Sequence, residues 1–255
     1  MQATDAANAM LPILTSAIAS RFGDELVGLY LFGSLISGDF LPGVSDIDLL
    51  AVITRDLNDA DVAPLAALHA GIVRDHPEWD DRIEVAYLSA DGLRDFRSRI
   101  SPLIIISPGE PLHLIDAGPD WLMNWYLVRS AGIALAGPPP RDLIPPIATA
   151  EYHQTVQEHL SSAENWIARA TSRKPGSYAV LTAGRGLYTL RIGEHASKAQ
   201  TAAWMQAQFP EWADLIDCAL AWRGMPEDQE LTAEDRAEIA RYLSIVTAAI
   251  RSDSD

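Results

Sequence analysis

Apolar positions change their period along this chain, and the change divides it. Near the start, Leu11, Leu14, Ile18 and Phe22 recur at helical spacing, with Pro12 either in the first turn of that helix or kinking it. Short apolar runs rich in β-branched and aromatic residues follow, at residues 27–32 (VGLYLF), Ile47–Ile53 (IDLLAVI) and residues 83–88 (IEVAYL). Each reads as a buried strand. Between the second and third runs, Val62, Leu65, Leu68 and Ile72 again follow helical spacing, which predicts a crossover helix over Asp59–Asp75. Strands alternating with helices predict an α/β layer.

Beyond the proline cluster Pro138, Pro139, Pro140, Pro145 and Pro146, the pattern is helical to the end. Tyr152, Val156, Leu160, Ala163 and Ile167 form one stripe, and Ile239, Leu243, Val246 and Ile250 form another. The second is preceded by Thr232 in a Thr-Ala-Glu-Asp run that resembles a capping box. Shorter helices are predicted at residues 178–190, 197–208 and 211–222. The fold class expected is therefore α/β plus all-α. An N-terminal α/β domain with a mixed sheet spans residues 1–145, a C-terminal helical bundle spans 146–255, and the boundary falls between residues 138 and 150. No internal repeat or low-complexity tract interrupts this.

Composition narrows the class. Hydrophobic residues make up 48% and charged residues 21%, as in a globular protein. The longest apolar runs, such as residues 103–106, are far too short to span a membrane. The N-terminal residues show no basic region followed by an apolar one, so no secretion signal is expected. The single cysteine, Cys218, cannot form an internal disulfide and is expected as a small buried side chain in a helix; a cytoplasmic location is expected. With 19 basic and 35 acidic residues, the net charge of −16 disfavours nucleic acid and anionic membranes and permits a cationic partner.

The candidate chemistry lies in residues 31–50, LFGSLISGDFLPGVSDIDLL. A strand ends in Gly33 and Ser34, and a loop with glycine and proline leads to Ser45-Asp46-Ile47-Asp48 at the start of the next strand. Glycine lets a backbone approach a ligand closely, and the amides and hydroxyl around Ser34 suit phosphate oxygens. Residues two apart in a strand share a face, so Asp46 and Asp48 project together. Such a pair repels itself unless a hard cation such as Mg²⁺ sits between, where it would also bridge to a triphosphate. Glu84, flanked by apolar Ile83 and Val85 on the third strand, is costly there unless it faces the same site, as base or as metal ligand. Alone, Gly-Ser is a turn and Ser-Asp-x-Asp a capping motif; together with three strands and an isolated Glu they point to one site. His113, His153, His159 and His195 are dispersed and gather no second one, so hydrolytic phosphatase chemistry is not expected.

Gly33-Ser34 with Asp46 and Asp48 resembles the signature of the polymerase-β-type nucleotidyltransferase superfamily. The chain is more closely similar to the aminoglycoside adenylyltransferases that modify streptomycin and spectinomycin. That resemblance is carried by residues 31–50, by VRSAGIALAGPPP at 128–140 and by VLTAGRGLYTLRIGEHASKAQTAAW at 180–204, and it samples both domains. It implies a monomeric enzyme with its active site in the cleft between two domains. AMP would move from ATP to a hydroxyl of a small cationic acceptor, with Asp46 and Asp48 holding Mg²⁺ (two ions in the family mechanism) and Glu84 acting as base or completing the metal shell. Gly33 and Ser34 would border the triphosphate, Arg185 and Lys198 would reach its phosphates, and Trp222 falls where the family often carries a tyrosine near the nucleotide. Trp166 and Tyr178 would meet the acceptor.

Family members that use streptomycin carry acidic residues after that tryptophan. Here Thr171 and Pro175 stand in their places, with Arg173 and Lys174 beside them, so spectinomycin is favoured over streptomycin. Other readings remain: transfer to a protein side chain, as in antitoxin-type nucleotidyltransferases, transfer to another small hydroxyl compound, or nucleotide binding without catalysis.

Overall fold

A computed structural model describes residues 2–225 and 228–252. The chain divides into two compact units, Met1–Ile147 and Ala148–Asp255.

The first unit opens with α1 (Gln2–Phe22), then β1 (Leu26–Phe32), the single turn α2 (Ser34–Ser37), β2 (Ile47–Ile53), α3 (Asp59–Asp75) and β3 (Ile83–Ser89). It continues with α4 (Ala90–Arg94), β4 (Ser101–Ser107), β5 (Glu110–Ala117), α5 (Leu122–Ala131), β6 (Ile133–Ala136) and α6 (Pro140–Leu143). The strands form one six-stranded mixed sheet in the order β5-β4-β3-β2-β1-β6. Only β2 and β3 pair in parallel; their neighbours pair antiparallel.

A parallel pair needs a crossover, and α3 supplies it. Asn58 caps that helix by accepting the Ala60 amide at 2.9 Å, and Asp61 accepts the Asn58 amide in return at 3.0 Å. Alternate residues of β2 (Ile47, Leu49, Ala51, Ile53) and of β3 (Ile83, Val85, Tyr87) join Leu14 and Ile18 of α1 and Leu65 and Ile72 of α3 in one core. That leaves Asp48 and Glu84 on the other face of the sheet.

Two details of the first unit differ from the sequence reading. Helix α1 begins well before Pro12, which lies inside it rather than in its first turn. Pro12 and Asn8, whose carbonyl loses a helical bond to it, are both exposed, so water takes that carbonyl while Ala7, Met10 and Leu14 stay buried. The β4–β5 hairpin, turning at Pro108-Gly109 with Gly109 at φ 80°, was not foreseen as strands.

The second unit is helical: α7 (Thr149–Ser161), α8 (Trp166–Arg169), α9 (Arg173–Ile192), α10 (Lys198–Gln208), α11 (Ala213–Arg223) and α12 (Ala233–Ser252). Helix α9 is its axis, packing on α7, α10, α11 and α12. The small residues Gly176, Ala179, Ala183, Gly184 and Gly186 lie buried along it and let its neighbours approach. The stripe Ile239, Leu243, Val246 and Ile250 is buried as expected, and Thr232 and Asp235 cap α12 reciprocally at 2.9 and 3.1 Å. The stripe from Tyr152 to Ile167 is not one helix. Ser161 and Ser162 turn their hydroxyls back to the carbonyls of Glu158 and His159, at 2.7 and 3.1 Å, and the helix ends there. Cys218 is exposed on α11, contrary to the buried position expected of it. Among the described residues, no helix is long and apolar enough to cross a membrane.

Candidate active site

Pairing places the carboxylates. In the parallel ladder Asp48 stands directly beside Glu84. Asp46 is the second residue before Asp48, and ligand atoms of Asp46, Asp48 and Glu84 all lie within 4.8 Å of one another. All three side chains are half-buried.

The approach to this cluster is built by the residues around it. Gly33 has φ 74°, and a Cβ there would lie 1.9 Å from Asp48 Oδ2, so only glycine fits between β1 and the carboxylate. The Ser34 amide faces the same oxygen at 3.4 Å. The Ser34 hydroxyl is out of contact with water and has no hydrogen-bond partner. Before Asp46, the buried Ser45 closes residues 41–45: its amide donates to the Leu41 carbonyl at 2.8 Å and its hydroxyl accepts the Leu41 amide at 3.0 Å.

Arg82 then clamps that loop. Its Nε and Nη2 both donate to the Ser45 carbonyl, at 3.1 and 2.7 Å, and Nη1 donates to the Glu78 carbonyl at 3.2 Å. The guanidinium stacks over Trp79, 4.5 Å from the ring centroid, and the Arg82 carbonyl accepts the Ile47 amide. Sequence reasoning passed over Arg82, because two of its contacts reach a main-chain carbonyl far away in the chain.

Electrostatics single out Glu84. Burial, then the Asp46 carboxylate, push its pKa up to about 7, with Glu110 adding to the rise. A hydrogen bond from Ser107 opposes them by favouring the charged form. Ser107 and Glu110 were also missed; the Ser-Pro-Gly turn after an apolar run was the available signal. A trio of close carboxylates, one with a raised pKa, beside a glycine-only approach and an unpartnered hydroxyl, is a donor set that fits a hard divalent cation.

In the second unit, the expected residues fall into separate groups. Trp166 and Tyr178 come together, ring centroids 6.4 Å apart, with His159 also against Trp166 at 5.0 Å. Trp166 is half-buried and Tyr178 is 54% exposed, so this aromatic cluster presents a surface. Arg185 is half-buried on α9, and among the described residues no carboxylate pairs with it. Lys198 is the first residue of α10, after Ser197, whose hydroxyl accepts the Gln200 amide. A cation at a helix N-terminus opposes the helix dipole, which suits an anion nearby. Trp222 is 6% exposed beneath the Arg173 guanidinium, a packing position. Thr171 and Pro175 flank the start of α9, where the Lys174 amide is tied to Asp228 at 2.9 Å.

Residues 13–105 match the family profile of the nucleotidyltransferase domain, and residues 142–249 match that of the aminoglycoside adenylyltransferase C-terminal domain. The chain thus pairs a nucleotidyltransferase domain with an aminoglycoside adenylyltransferase C-terminal domain. It is thus a nucleotidyltransferase enzyme, and the carboxylates sit within its nucleotidyltransferase domain. No curated protein matches the chain. Among solved structures it is similar to spectinomycin adenyltransferase AAD(9) from Enterococcus faecialis, solved with ATP and spectinomycin. The TM-score is 0.76 at 17% identity, covering 96% of this chain and 99% of the other. At that identity the likeness establishes the fold.

Proposed function

We propose that this enzyme transfers AMP from ATP to a hydroxyl of a small cationic aminoglycoside-type antibiotic, with spectinomycin preferred to streptomycin. The observation that carries the reading is the convergence of Asp46, Asp48 and Glu84 within 4.8 Å on neighbouring parallel strands. The matches to a nucleotidyltransferase domain and to the aminoglycoside adenylyltransferase C-terminal domain, with the likeness to an enzyme solved with ATP and spectinomycin, support the nucleotide and the acceptor class. The preference rests on Thr171 and Pro175 standing where streptomycin users carry acids.

In this reading Asp46 and Asp48, with Glu84 beside them, hold Mg²⁺, which when bound offsets the negative charge of the triphosphate. Gly33 and the amide and hydroxyl of Ser34 receive phosphate oxygens. Arg185 and Lys198 neutralise further phosphate charge, while Trp166 and Tyr178 stack on the acceptor. Glu84 takes the hydroxyl proton as the acceptor oxygen bonds to the α-phosphorus. The bond from that phosphorus to the oxygen bridging to the β-phosphate breaks, and pyrophosphate leaves.

Pyrophosphate release from ATP, measured with and without Mg²⁺ against spectinomycin and streptomycin, tests this. Release that requires both Mg²⁺ and spectinomycin is expected. Equal turnover of streptomycin overturns the preference. Release with neither drug, despite tight Mg-ATP binding, overturns the antibiotic acceptor.

A further inference from the structure

The row of polar side chains that begins with Asp48 and Glu84 continues onto a third strand. In the antiparallel ladder between β3 and β4, Val85 pairs with Ile106, and both pack toward the core. One residue further along each strand, Glu84 stands opposite Ser107 on the other face of the sheet. Asp48 is the partner of Glu84 on its other side. Directly opposed residues of an antiparallel pair have Cβ atoms about 4.5–5.5 Å apart, a gap that a serine hydroxyl and a glutamate carboxylate bridge. The Ser107 hydroxyl donates to the Glu84 carboxylate across it.

The tip of the hairpin that carries Ser107 is tied to the start of β3. Asp81, two residues before β3, accepts the Gly109 amide at 2.5 Å. It does so at φ 56°, a left-handed conformation that residues other than glycine seldom adopt. Ser107 is therefore held beside Glu84 both by the ladder and by this tie.

The kind of donor matters as well as its place. Arg82, two residues before Glu84, turns its guanidinium to the Ser45 and Glu78 carbonyls, so the side chain that meets Glu84 is neutral. A hydroxyl both donates and accepts. It can donate to Glu84 as a carboxylate and accept from it as an acid, so one contact holds the side chain before and after a proton is taken.

We propose that Ser107 is a positioning residue, which holds the Glu84 side chain in a single rotamer beside Asp48 and leaves its second oxygen for the reacting hydroxyl. Glu84 takes the acceptor proton in this scheme, and Ser107 keeps its own. The inference rests on the proposed role of Glu84 as base.

The test compares Ser107→Ala, Ser107→Thr and Ser107→Val in the full-length protein. Threonine and valine have the same shape and differ in the hydroxyl, so a fold defect would strike both alike. The first measurement needs no turnover: NMR couplings across the Cα–Cβ and Cβ–Cγ bonds of Glu84 in EDTA, with its resonances assigned through Glu84→Gln. One rotamer is expected in the wild type and Ser107→Thr, and averaged couplings in the other two. The second is pyrophosphate release from Mg-ATP with spectinomycin. In Ser107→Ala and Ser107→Val, kcat should fall about tenfold or more with each KM within about twofold, and Ser107→Thr should recover most of it. Couplings alike in Ser107→Thr and Ser107→Val, or equal kcat in the two, overturn the proposal. If the wild type releases no pyrophosphate with spectinomycin, the acceptor reading fails, and the couplings alone decide whether Ser107 positions Glu84.

Discussion

Glu84 is a carboxyl group made unusually basic by its neighbours, and that has two consequences at the level of the single side chain. In the proposed role of Glu84 as base, a pKa of about 7 matches the pH at which the proton would be taken. Glu84→Gln should therefore lower turnover by about 10²–10⁴-fold while leaving the Kd for nucleotide within a few-fold, as rapid-mixing and binding measurements would show. The same rise also acts on stability. The folded pKa lies above the unfolded one, so the contribution of Glu84 to stability is fully present below the ordinary carboxylate range. It is lost as pH rises through about 7. In EDTA, the Tm of Glu84→Gln relative to wild type should thus be higher at pH 8 than at pH 5. Added Mg²⁺ should raise the wild-type Tm at pH 8 and shrink that difference; a difference independent of pH would deny the raised pKa. Gly33 shows the complementary case of a residue defined by what it lacks. Gly33→Ala puts a Cβ against Asp48 Oδ2 at a backbone angle that alanine avoids. Displacing a carboxylate by about 1 Å is expected to cost about 10²-fold in kcat, with secondary structure by circular dichroism retained.

Among the elements, the pair β2–β3 with its crossover α3 is readable in the sequence, and the reason is physical. Strands covered on both faces are continuous apolar runs, and α3 carries its own start signal in Asn58 and Asp61. An Asp or Glu inside such a run stands out, so Asp46, Asp48 and Glu84 could be named from spacing alone. The β4–β5 hairpin was less legible. Strand β5 is at the sheet edge and mostly half-exposed, so its pattern lacks the contrast of a buried strand. Ser107 and Glu110 went unseen with it. Arg82 was invisible for a different reason: its chemistry is a fork onto the Ser45 carbonyl, and any residue can supply a carbonyl. In the helical unit, spacing revealed the long stripes but not the break after Ser161, because serine hydroxyls bonding their own turn leave apolar periodicity untouched. The clamp carries a prediction of its own. Arg82→Lys keeps the charge felt at Asp46 but loses the fork, so the loop that aims Asp46 loosens. Apparent Mg²⁺ affinity should fall about 10-fold or more, with most of kcat recovered at saturating Mg²⁺. A loss of kcat that extra Mg²⁺ does not restore would place Arg82 in the chemistry rather than in support of the ligand.

Over the whole molecule, a net charge of −16 acts differently on the two substrates of the proposed reaction. An acidic protein attracts a cationic antibiotic from a distance and repels ATP, so in the proposed reaction nucleotide binding would rest on local groups, for which Arg185, Lys198 and a carboxylate-bound cation are the candidates. Salt separates these contributions. Raising ionic strength shortens the screening length from roughly 10 Å at 0.1 M to about 3 Å at 1 M, which removes long-range attraction but leaves close contacts largely in place. For the acceptor, kcat/KM should drop about threefold or more between low and high salt, mostly through KM. For Mg-ATP the change should be smaller, since screening weakens the general repulsion as well as the local attraction. Steady-state kinetics over a sodium chloride series, with the Tm followed in parallel, would measure both slopes. A steeper decline for Mg-ATP than for the antibiotic, at constant Tm, would mean that the acidic surface plays no part in gathering the acceptor and serves the protein in some other way.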